Sequence, residues 1–405
     1  MRIKLIFDIE VIGNAYKNNQ TGIFRVAYEL FKRFISREEI ELSYSNFNFN
    51  NHKETQFKID RFLSDHQLTL KNANNCERVK FIPFRKEKPF RKLYNKLGIF
   101  DYKVSYNEGI QDAQIYHSLY YPIHKSLEEF PNVKKVVTIH DLIPILYPEY
   151  NDNTQLLDNT IKSIGPNNYA ICVSENTRKD LLEYAPYIDP KKVFVSRLAA
   201  SPDIFYQSSD AKENALIREK YNLPEKYILS LSTLEPRKNI DHLIRSFIKM
   251  LDTHSVSDLS LVLVGSKGWQ YDKIFEEYEN AKDLKGKIII TGRIPDEDLA
   301  SVYSQANSFY YMSLYEGFGL PPLEAMQCGI PTVTSNTSSL PEVVGEAGIQ
   351  LDPTDENALS EVIWKLYNDE EYRMEYAQKA IERAKEFSWE KAVEEHINIY
   401  NAILE

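Results

Sequence analysis

Two glutamates, Glu316 and Glu324, flank a short run of glycines and prolines whose composition is typical of an anion-binding site. Pro321 and Pro322 suit the first turn of a helix, where a missing amide proton costs little, and Gly329 is typical of a helix end. The free amides and the dipole of a helix start attract a phosphate. The segment therefore predicts a short helix whose N-terminus faces a phosphate group.

The two carboxylates indicate a ligand that also carries hydroxyl groups. We expect Glu324 in the first turn of this helix, where it could accept hydrogen bonds from a ribose, and Glu316 on the preceding loop, nearer a sugar. Gly317 and Gly319 give the loop backbone freedom to approach the ligand. A capped helix with two solvated glutamates would have the same spacing, so spacing alone leaves both interpretations open.

A second set of candidates lies in the segment LSTLEPRKNI, which contains Ser232. Arg237 and Lys238 follow a strand predicted at 227–232 and precede Asn239, which we expect to cap the next helix. Fixed cations at the carboxyl end of a strand could stabilise the charge that a departing diphosphate gains in the transition state. The other interpretation is a pair of solvated loop cations.

A third candidate is His140 in the segment VVTIHDLIP, where a predicted strand ends. It would place a polar side chain in the crevice at the edge of the first sheet. A lone histidine is more often structural, and Asp141 next to it is expected to orient or cap locally.

The elements that must position these residues follow from alternating apolar runs and amphipathic stretches. Strands are predicted at 4–9, 135–140, 169–173 and 193–196, and then at 227–232, 259–264, 287–291, 309–312 and 332–334. The pattern weakens at 198–224, where a domain boundary is expected. The chain is therefore predicted to be α/β, with parallel doubly wound sheets in two domains and an amphipathic helix at the end.

The run 315–335 resembles the signature of retaining glycosyltransferase family four, with both glutamates at the expected separation. The resemblance implies two Rossmann-like domains that face each other across a cleft, the GT-B fold. Residues 1–200 would form the acceptor-binding domain and residues 201–386 the nucleotide-sugar-binding domain. Residues 387–405 would form a C-terminal helix that returns to the N-terminal domain.

The resemblance also implies roles for the candidates. Glu316 would contact the donor sugar and Glu324 the ribose, while the amides around Phe318 bind sugar and phosphate, and Arg237 and Lys238 contact the diphosphate. The expected catalytic residues are His140, Arg237, Lys238 and Glu316. The expected donor-binding residues are Gly22, Ser232, Gly265, Arg293, Ile294, Gly317, Phe318, Gly319, Leu320 and Glu324.

The segment TGIFRVAYEL resembles the family's glycine-containing loop near the diphosphate and the acceptor. Many relatives have two or more glycines here, whereas this chain has only Gly22, and Phe24 stands where glycine is common. This departure predicts either a narrower acceptor entrance or a contribution from Gly13. Arg293 and Ile294 match the position of backbone contacts to the base.

Composition restricts the partners. The formal net charge of -10 disfavours nucleic acid, and the chain has no apolar stretch of the length of a membrane span and no signal-peptide core at its start, so we expect a cytoplasmic protein. Its three cysteines lack metal-type spacing. Asp296, Glu297 and Asp298 resemble the metal motif of single-domain glycosyltransferases, but capping by Asp296 is the favoured interpretation. We expect neither a metal nor another cofactor.

Residues 78–103 contain nine basic residues against Glu87 and Asp101. Phe90, Leu93, Tyr94 and Leu97 would share one helical face, which suits peripheral contact with anionic membrane on the inner face of the plasma membrane. An amphipathic helix docked on its own domain would show the same pattern.

Together these features predict a retaining, metal-independent glycosyltransferase that uses a nucleotide diphosphate sugar. The segments ST-x-EPRKN, HDL and GSKGW resemble bacterial surface-polysaccharide mannosyl- and rhamnosyltransferases, which implies GDP-mannose as donor and a glycan or lipid-linked glycan as acceptor. The alternatives are a UDP- or dTDP-sugar donor, a nucleotide-sugar epimerase or hydrolase of the same fold, and a noncatalytic partner subunit.

Overall fold

Strands and helices alternate along the chain, as its apolar runs predict. The computed structural model describes residues 2–16, 22–47, 52–78, 102–150 and 154–405. The first strands are Ile3–Asp8 (β1), Ile40–Ser45 (β2), Lys71–Asn72 (β3), Asn74–Arg78 (β4), Tyr102–Tyr106 (β5), Ile115–Ser118 (β6), Lys134–Ile139 (β7), Tyr169–Cys172 (β8) and Val193–Val195 (β9). The α-helices among them are Glu10–Ala15 (α1), Gly22–Ser36 (α2), His52–Asp65 (α3), Ile143–Leu146 (α4), Thr154–Ile164 (α5) and Glu175–Tyr184 (α6).

Seven of these strands form one sheet in the order β3-β2-β1-β6-β7-β8-β9, and β4 pairs with β5 in a separate antiparallel ribbon. All pairs in the sheet are parallel; in β1, for example, Leu5 lies opposite both Leu42 and Ile115. A parallel sheet covered by helices on both faces needs strands that are apolar on both sides, which is why β1 reads IKLIFD. The carboxyl ends of the strands meet at one edge.

The second domain repeats this architecture. Its strands are Tyr227–Leu231 (β10), Ser260–Val264 (β11), Ile288–Gly292 (β12), Ser308–Tyr311 (β13), Thr332–Ser335 (β14) and Ile349–Leu351 (β15). The α-helices that follow β9 are Ala211–Lys220 (α7), Ile240–His254 (α8), Asp272–Asn280 (α9), Asp296–Ser304 (α10), Leu320–Gln327 (α11), Leu340–Val344 (α12), Glu356–Asn368 (α13), Glu370–Ala384 (α14) and Trp389–Leu404 (α15).

The parallel strand order in this sheet is β12-β11-β10-β13-β14-β15. The chain proceeds outwards from β10 in one direction and then resumes on its other side at β13. Such a reversal opens a crevice at the carboxyl ends of the strands, where α/β sheets bind ligands. The two predicted doubly wound sheets are therefore confirmed, and each has such a crevice.

The last two helices pack on different domains. Helix α14 lies against α11 of the second domain, whereas α15 lies against α2 of the first. In α15, the Tyr400 hydroxyl is 2.7 Å from His117 Nδ1, and His396 Nδ1 is 3.0 Å from Ser196 Oγ. The predicted domain boundaries after residues 200 and 386 fall between elements and stay predictions.

Two predictions concern membranes. Among the described residues, none of the helices combines the length and the apolar character that a membrane crossing requires. Of the basic stretch 78–103, residues 79–101 lie outside the described residues, and these include Phe90, Leu93, Tyr94 and Leu97 of the predicted helical face.

Candidate active site

A cleft of about 720 Å³ lies between the carboxyl edges of the two sheets. The second domain contributes the loops after β10, β11, β12 and β13, and the first domain contributes the end of β7 and the start of α2. Every residue that the sequence singled out for catalysis or donor binding lines this cleft: Gly22, His140, Ser232, Arg237, Lys238, Gly265, Arg293, Ile294, Glu316, Gly317, Phe318, Gly319, Leu320 and Glu324.

Glu316 lies in the centre of a buried ion cluster. Its Oε1 is 2.8 Å from Arg237 Nη1 and 2.5 Å from Lys238 Nζ. It also accepts hydrogen bonds from the hydroxyls of Ser313 at 2.6 Å and Tyr311 at 2.9 Å. Burial alone would raise the pKa of Glu316, but the two cations outweigh it and lower the pKa to about 2. The carboxylate is therefore ionised, and the cluster contains two cations, Arg237 and Lys238, and a second carboxylate, Glu235, which lies 2.8 Å from Arg237.

The two cations are held by the turn between β10 and α8. Residues Pro236–Lys238 form one 3-10 turn, and Arg237 donates to the carbonyl of Tyr315 at 2.6 Å and to Glu235 Oε1 at 2.8 Å. Burial and the neighbouring Arg237 lower the pKa of Lys238, against the opposing effect of Glu316. Both side chains thus face the cleft from a rigid turn rather than from a solvated loop.

The prediction that Asn239 caps α8 is wrong. Asn239 stands before the helix with a left-handed backbone (φ 56°), and its side chain makes no capping hydrogen bond. Its amide instead donates to the carbonyls of Met312 at 3.2 Å and Pro353 at 2.8 Å. The residue therefore connects the turn with Arg237 and Lys238 to the end of β13.

The short helix predicted from the proline pair is present as α11, with a proline in its first positions. Gly319, directly before it, has φ 119°, a value that favours glycine, and a Cβ there would lie 2.8 Å from Leu340. Pro321 and Pro322 have no N–H, so the amides that this segment can offer a ligand are those of residues 318–320, which line the cleft. Glu324 was expected in the first turn, but α11 begins at Leu320, so Glu324 lies in the second turn.

Glu324 is 4% exposed and has two partners. Its Oε1 accepts from Arg25 Nη1 at 3.0 Å and its Oε2 from the Tyr303 hydroxyl at 3.2 Å. Burial raises the pKa of Glu324 to about 7, despite the opposing effects of Arg25 and Tyr303. This carboxylate therefore titrates close to neutral pH, unlike Glu316.

The sequence interpretation missed Arg25, which spans the cleft from the first domain. Its Nη2 donates to Asp296 Oδ2 at 2.8 Å, while Nη1 contacts Glu324. The expectation that Asp296 caps α10 is wrong, because the residue before the helix is Pro295 and Asp296 makes no capping bond. The sequence did contain an indication that Arg25 has a functional contact. A cation in the first turn of a helix interacts unfavourably with the helix dipole, so a partner elsewhere is expected to stabilise it.

His140 forms part of the first domain's wall of the cleft. Its Nε2 is 2.8 Å from the carbonyl of Leu119, so Nε2 carries the proton and Nδ1 is an acceptor. Burial lowers the pKa of His140 to about 4, which keeps the ring neutral. The adjacent Asp141 accepts from the amide of Ile143 at 2.9 Å, a local contact beside Leu142, which is the N-cap of α4.

The expectations about the segment TGIFRVAYEL, which contains Gly22 and Phe24, are only partly met. Gly22 starts α2 and lines the cleft, but Gly13 lies inside α1 against Ile59 and Thr55 and is absent from the lining. Phe24 is 7% exposed and packs in the core of the first domain, so it does not narrow an entrance. Its ring points inward because α2 places its apolar face on the sheet.

The remaining predicted residues surround the part of the cleft near β10 to β12. Ser232 is buried, and its hydroxyl has no hydrogen-bond partner among the described residues. Gly265 packs against the backbone of Ser232, and Ile294 is 3% exposed whereas Arg293 is exposed. An unpaired buried hydroxyl at a cleft wall is available to a ligand.

Two Rossmann-like domains with this strand order, a cleft between their carboxyl edges and a terminal helix on the first domain define the GT-B class of glycosyltransferases. The family model for glycosyl transferases group 1 matches residues 213–386. O-antigen chain mannosyltransferase B of Escherichia coli is 32% identical over 408 aligned residues, which cover 99% of this chain and 100% of that protein. The chain belongs to the group 1 glycosyltransferases.

Two further comparisons agree with this assignment. The serotype-specific mannosyltransferase WbdA of Escherichia coli is 31% identical over 297 residues, which cover 71% of this chain and 35% of that protein. The crystal structure of HepE from Anabaena in complex with UDP and glucose has a TM-score of 0.69 at 15% identity, and the match covers 99% of this chain and 100% of that one. The latter supports the fold alone.

Proposed function

We propose that the protein transfers a hexose, with retention of configuration and without a metal ion, from a nucleotide diphosphate sugar to a glycan or lipid-linked glycan. The donor is GDP-mannose and the product is a surface polysaccharide. The main support for the proposal is that one cleft is lined by Arg237, Lys238, Glu316 and the start of α11 from the second domain and by His140 from the first.

The donor lies along the second domain in this proposal. Glu324 accepts hydrogen bonds from the ribose hydroxyls, and the backbone at Arg293 and Ile294 contacts the base. The diphosphate lies between Arg237, Lys238 and the amides of residues 318–320, close to Gly22, Ser232 and Gly265. Arg237, Lys238, Tyr311 and Ser313 all contact Glu316 through its Oε1, so Oε2 is the oxygen proposed to bind a hydroxyl of the sugar.

The reaction is a front-face displacement. The bond between the anomeric carbon and the distal phosphate oxygen breaks, and the acceptor oxygen bonds to that carbon on the same face. The departing phosphate oxygen takes the proton of the acceptor hydroxyl. Because negative charge grows on the leaving diphosphate, Arg237 and Lys238 stabilise the transition state more than the ground state. His140 stays neutral and positions the sugar, so no enzyme nucleophile is needed.

The choice of mannose and of a polysaccharide product rests on the relatives. Both Escherichia coli relatives are named as mannosyltransferases, one of them of the O-antigen chain. A lipid-linked acceptor would also give a role to the basic residues 78–103, as a peripheral contact with anionic lipid. Flotation with anionic and neutral vesicles at low salt tests that contact, and equal recovery with both would exclude it.

The donor assignment is tested by a binding and transfer screen. Thermal shifts are measured with GDP, UDP, dTDP and ADP, and transfer from the matching sugar nucleotides is followed by mass spectrometry in EDTA. At about 100 times its dissociation constant the correct nucleotide stabilises by about 2.7 kcal/mol. The proposal expects GDP to give the largest shift and GDP-mannose to extend the acceptor. Release of free mannose at full rate without an acceptor would indicate a hydrolase instead, and a larger shift with UDP or dTDP would change the donor.

A further inference from the structure

The start of helix α6, in the first domain, holds one carbonyl of the second domain. Ser174 is the N-cap of α6, and its Oγ accepts from the amide of Thr177 at 3.0 Å. The same Oγ is 2.7 Å from the carbonyl oxygen of Gly317, and Thr177 Oγ1 is 3.0 Å from it. Both side chains are fully buried. Capping requires only the first of these contacts, so the two at Gly317 need another explanation.

A carboxylate from the second domain occupies the amides at the same helix start. Glu342, in α12, accepts from the amide of Glu175 at 2.9 Å through Oε2 and from the amide of Asn176 at 2.7 Å through Oε1. A negative charge at this position also matches the positive end of the helix dipole.

A third contact involves the residue before Glu316. The Tyr315 hydroxyl donates to Asp180 Oδ2 at 2.6 Å and accepts from Asn176 Nδ2 at 3.0 Å. Helix α6 therefore binds both the start and the middle of the loop that carries Glu316.

The loop has no room to shift toward the first domain at this point. A Cβ on Gly317 would lie 1.9 Å from the carbonyl oxygen of His140 and 2.7 Å from the Cβ of Asp141. Since atoms this close cannot coexist, only glycine lets the donor loop touch the end of β7. Because Gly317 follows Glu316 and touches His140, this packing brings together the two residues expected to bind the sugar, one from each domain.

The orientation of the Gly317 carbonyl also determines where the next amide points. The carbonyl of Gly317 and the N–H of Phe318 belong to one planar trans peptide unit, in which they point in opposite directions. A carbonyl directed at Ser174 and Thr177 therefore directs the Phe318 amide away from the first domain's helix. A rotation of this peptide would turn the Phe318 N–H away from the phosphate that it is proposed to bind.

We propose that the start of α6 is an interdomain clamp, formed by Ser174, Thr177 and Glu342, that holds the two domains together and fixes the peptide 317–318 for transfer. These three are positioning residues, since none of them lines the cleft. The proposal rests on the proposed function for the role of the Phe318 amide, whereas the domain closure stands on the contacts alone.

Substitution of Thr177 separates the clamp from the cap. Thr177→Val keeps the shape and the capped amide but loses the hydroxyl, with its contacts of 3.0 Å to the Gly317 carbonyl and 3.0 Å to Ser174 Oγ, and Thr177→Ser restores both. Loss of a hydrogen bond worth about 0.5–1.5 kcal/mol predicts a fall in kcat of about two- to tenfold for Thr177→Val. Thr177→Ser is expected to recover most of it. The affinity for GDP is expected to fall less than kcat, because Arg237, Lys238 and Glu324 also hold the nucleotide in the proposed function.

Glu342 offers a matched pair of variants. Glu342→Gln weakens the contact with the α6 amides, whereas Glu346→Gln changes an exposed glutamate a few residues further on and serves as the control. We expect a lower kcat and a larger radius of gyration by small-angle X-ray scattering for Glu342→Gln, and wild-type values for Glu346→Gln. Thermal melting of each variant shows whether the folded fraction is unchanged.

The outcomes separate the clamp from the proposed function. A wild-type protein that transfers sugar, with Thr177→Val and Glu342→Gln equally active, would overturn the clamp and leave the function standing. A fall in rate that Thr177→Ser does not reverse, or that only follows a lower folded fraction, would overturn it too. If the wild type transfers no sugar, scattering alone decides, and an unchanged radius of gyration in both variants would refute the closure.

Discussion

Replacing Arg237 by methionine removes one of the two cations proposed to receive the charge of the leaving diphosphate. The side chain is 13% exposed and makes contacts of 2.8 Å with Glu316, 2.8 Å with Glu235 and 2.6 Å with the carbonyl of Tyr315. Glu316 would keep its 2.5 Å contact with Lys238, so its charge is not left unpaired. The fold is therefore expected to survive the change.

The magnitude follows from the kind of bond that is lost. A hydrogen bond to a charged group contributes about 1.5–3 kcal/mol, so loss of one phosphate contact lowers kcat/KM by about 10- to 150-fold. Most of the loss is expected in kcat, because the charge on the diphosphate grows as the glycosidic bond breaks. The lost contacts with Glu316 and Glu235 also lower the melting temperature, by about 2–4 °C for each kcal/mol.

The assay is steady-state transfer from GDP-mannose, followed well below the melting temperature of the variant. Arg245→Met is the matched control, because Arg245 likewise has three acceptors, all of them carboxylates, at 2.6 Å, 3.0 Å and 3.2 Å, but lies on α8 outside the lining of the cleft. We expect Arg245→Met to keep the wild-type kcat. An Arg237→Met protein that is folded and has less than a threefold loss in kcat/KM would refute the leaving-group role, since a single charged contact is worth at least about tenfold.

Four further results are expected. Because the pKa of Glu324 is raised to about 7, GDP affinity rises by about tenfold as the pH increases from roughly 6 to 8, and calorimetry of Glu324→Gln shows no such rise. In the unfolded chain Glu324 has its ordinary pKa of 4.5, whereas in the folded protein its pKa is about 7. Ionisation of Glu324 therefore lowers the free energy of unfolding as the pH rises from 4.5 to about 7. Melting curves of Glu324→Gln are expected to lack this pH dependence. Arg25→Met raises the pKa of Glu324 further, because Arg25 lowers it in the wild type, and moves the midpoint of the GDP-binding profile to higher pH; an unmoved midpoint would contradict the pairing. Gly317→Ala places a methyl group 1.9 Å from the His140 carbonyl and lowers transfer at least about tenfold, whereas Gly286→Ala, with no atom within 4 Å of the added carbon, transfers normally; equal rates would show that the domains do not meet at Gly317.

Local features of the site could be predicted because the segments carry their own start and stop signals. Pro321 and Pro322 exclude the interior of a helix, and so they located the start of α11 within a residue or two. The strands were predicted because a parallel sheet that is covered on both faces needs continuous apolar runs. Since the carboxyl ends of such strands share one edge, His140 and Lys238 could be assigned to facing crevices.

The errors concern side chains whose partners are far away in the sequence. Asn239 has the composition of a cap, but its left-handed backbone turns the amide toward Met312 and Pro353. Asp296 likewise has a local capping alternative, yet Arg25 of the other domain binds it instead. Helix-capping propensity describes how a side chain bonds to the backbone of its own turn. It does not include an ion pair with a residue of the other domain.

The contacts between the domains were the least predictable part of the site. Ser174 and Thr177 read as an ordinary helix start, and only the docked domains show that their hydroxyls reach Gly317. The requirement for glycine at 317 also comes from the backbone of the other domain rather than from its own turn. Such residues could be found only once the relative placement of the sheets is known.

The most direct test of the proposed reaction is the configuration of its product. GDP-mannose is incubated with the protein, EDTA and an acceptor glycan that ends in mannose, and the first-formed linkage is examined by ¹H NMR before it can be altered. We expect the α configuration of the donor to be retained in the new glycosidic bond, with little free mannose. A β linkage, or free mannose as the main product, would contradict front-face transfer in this cleft.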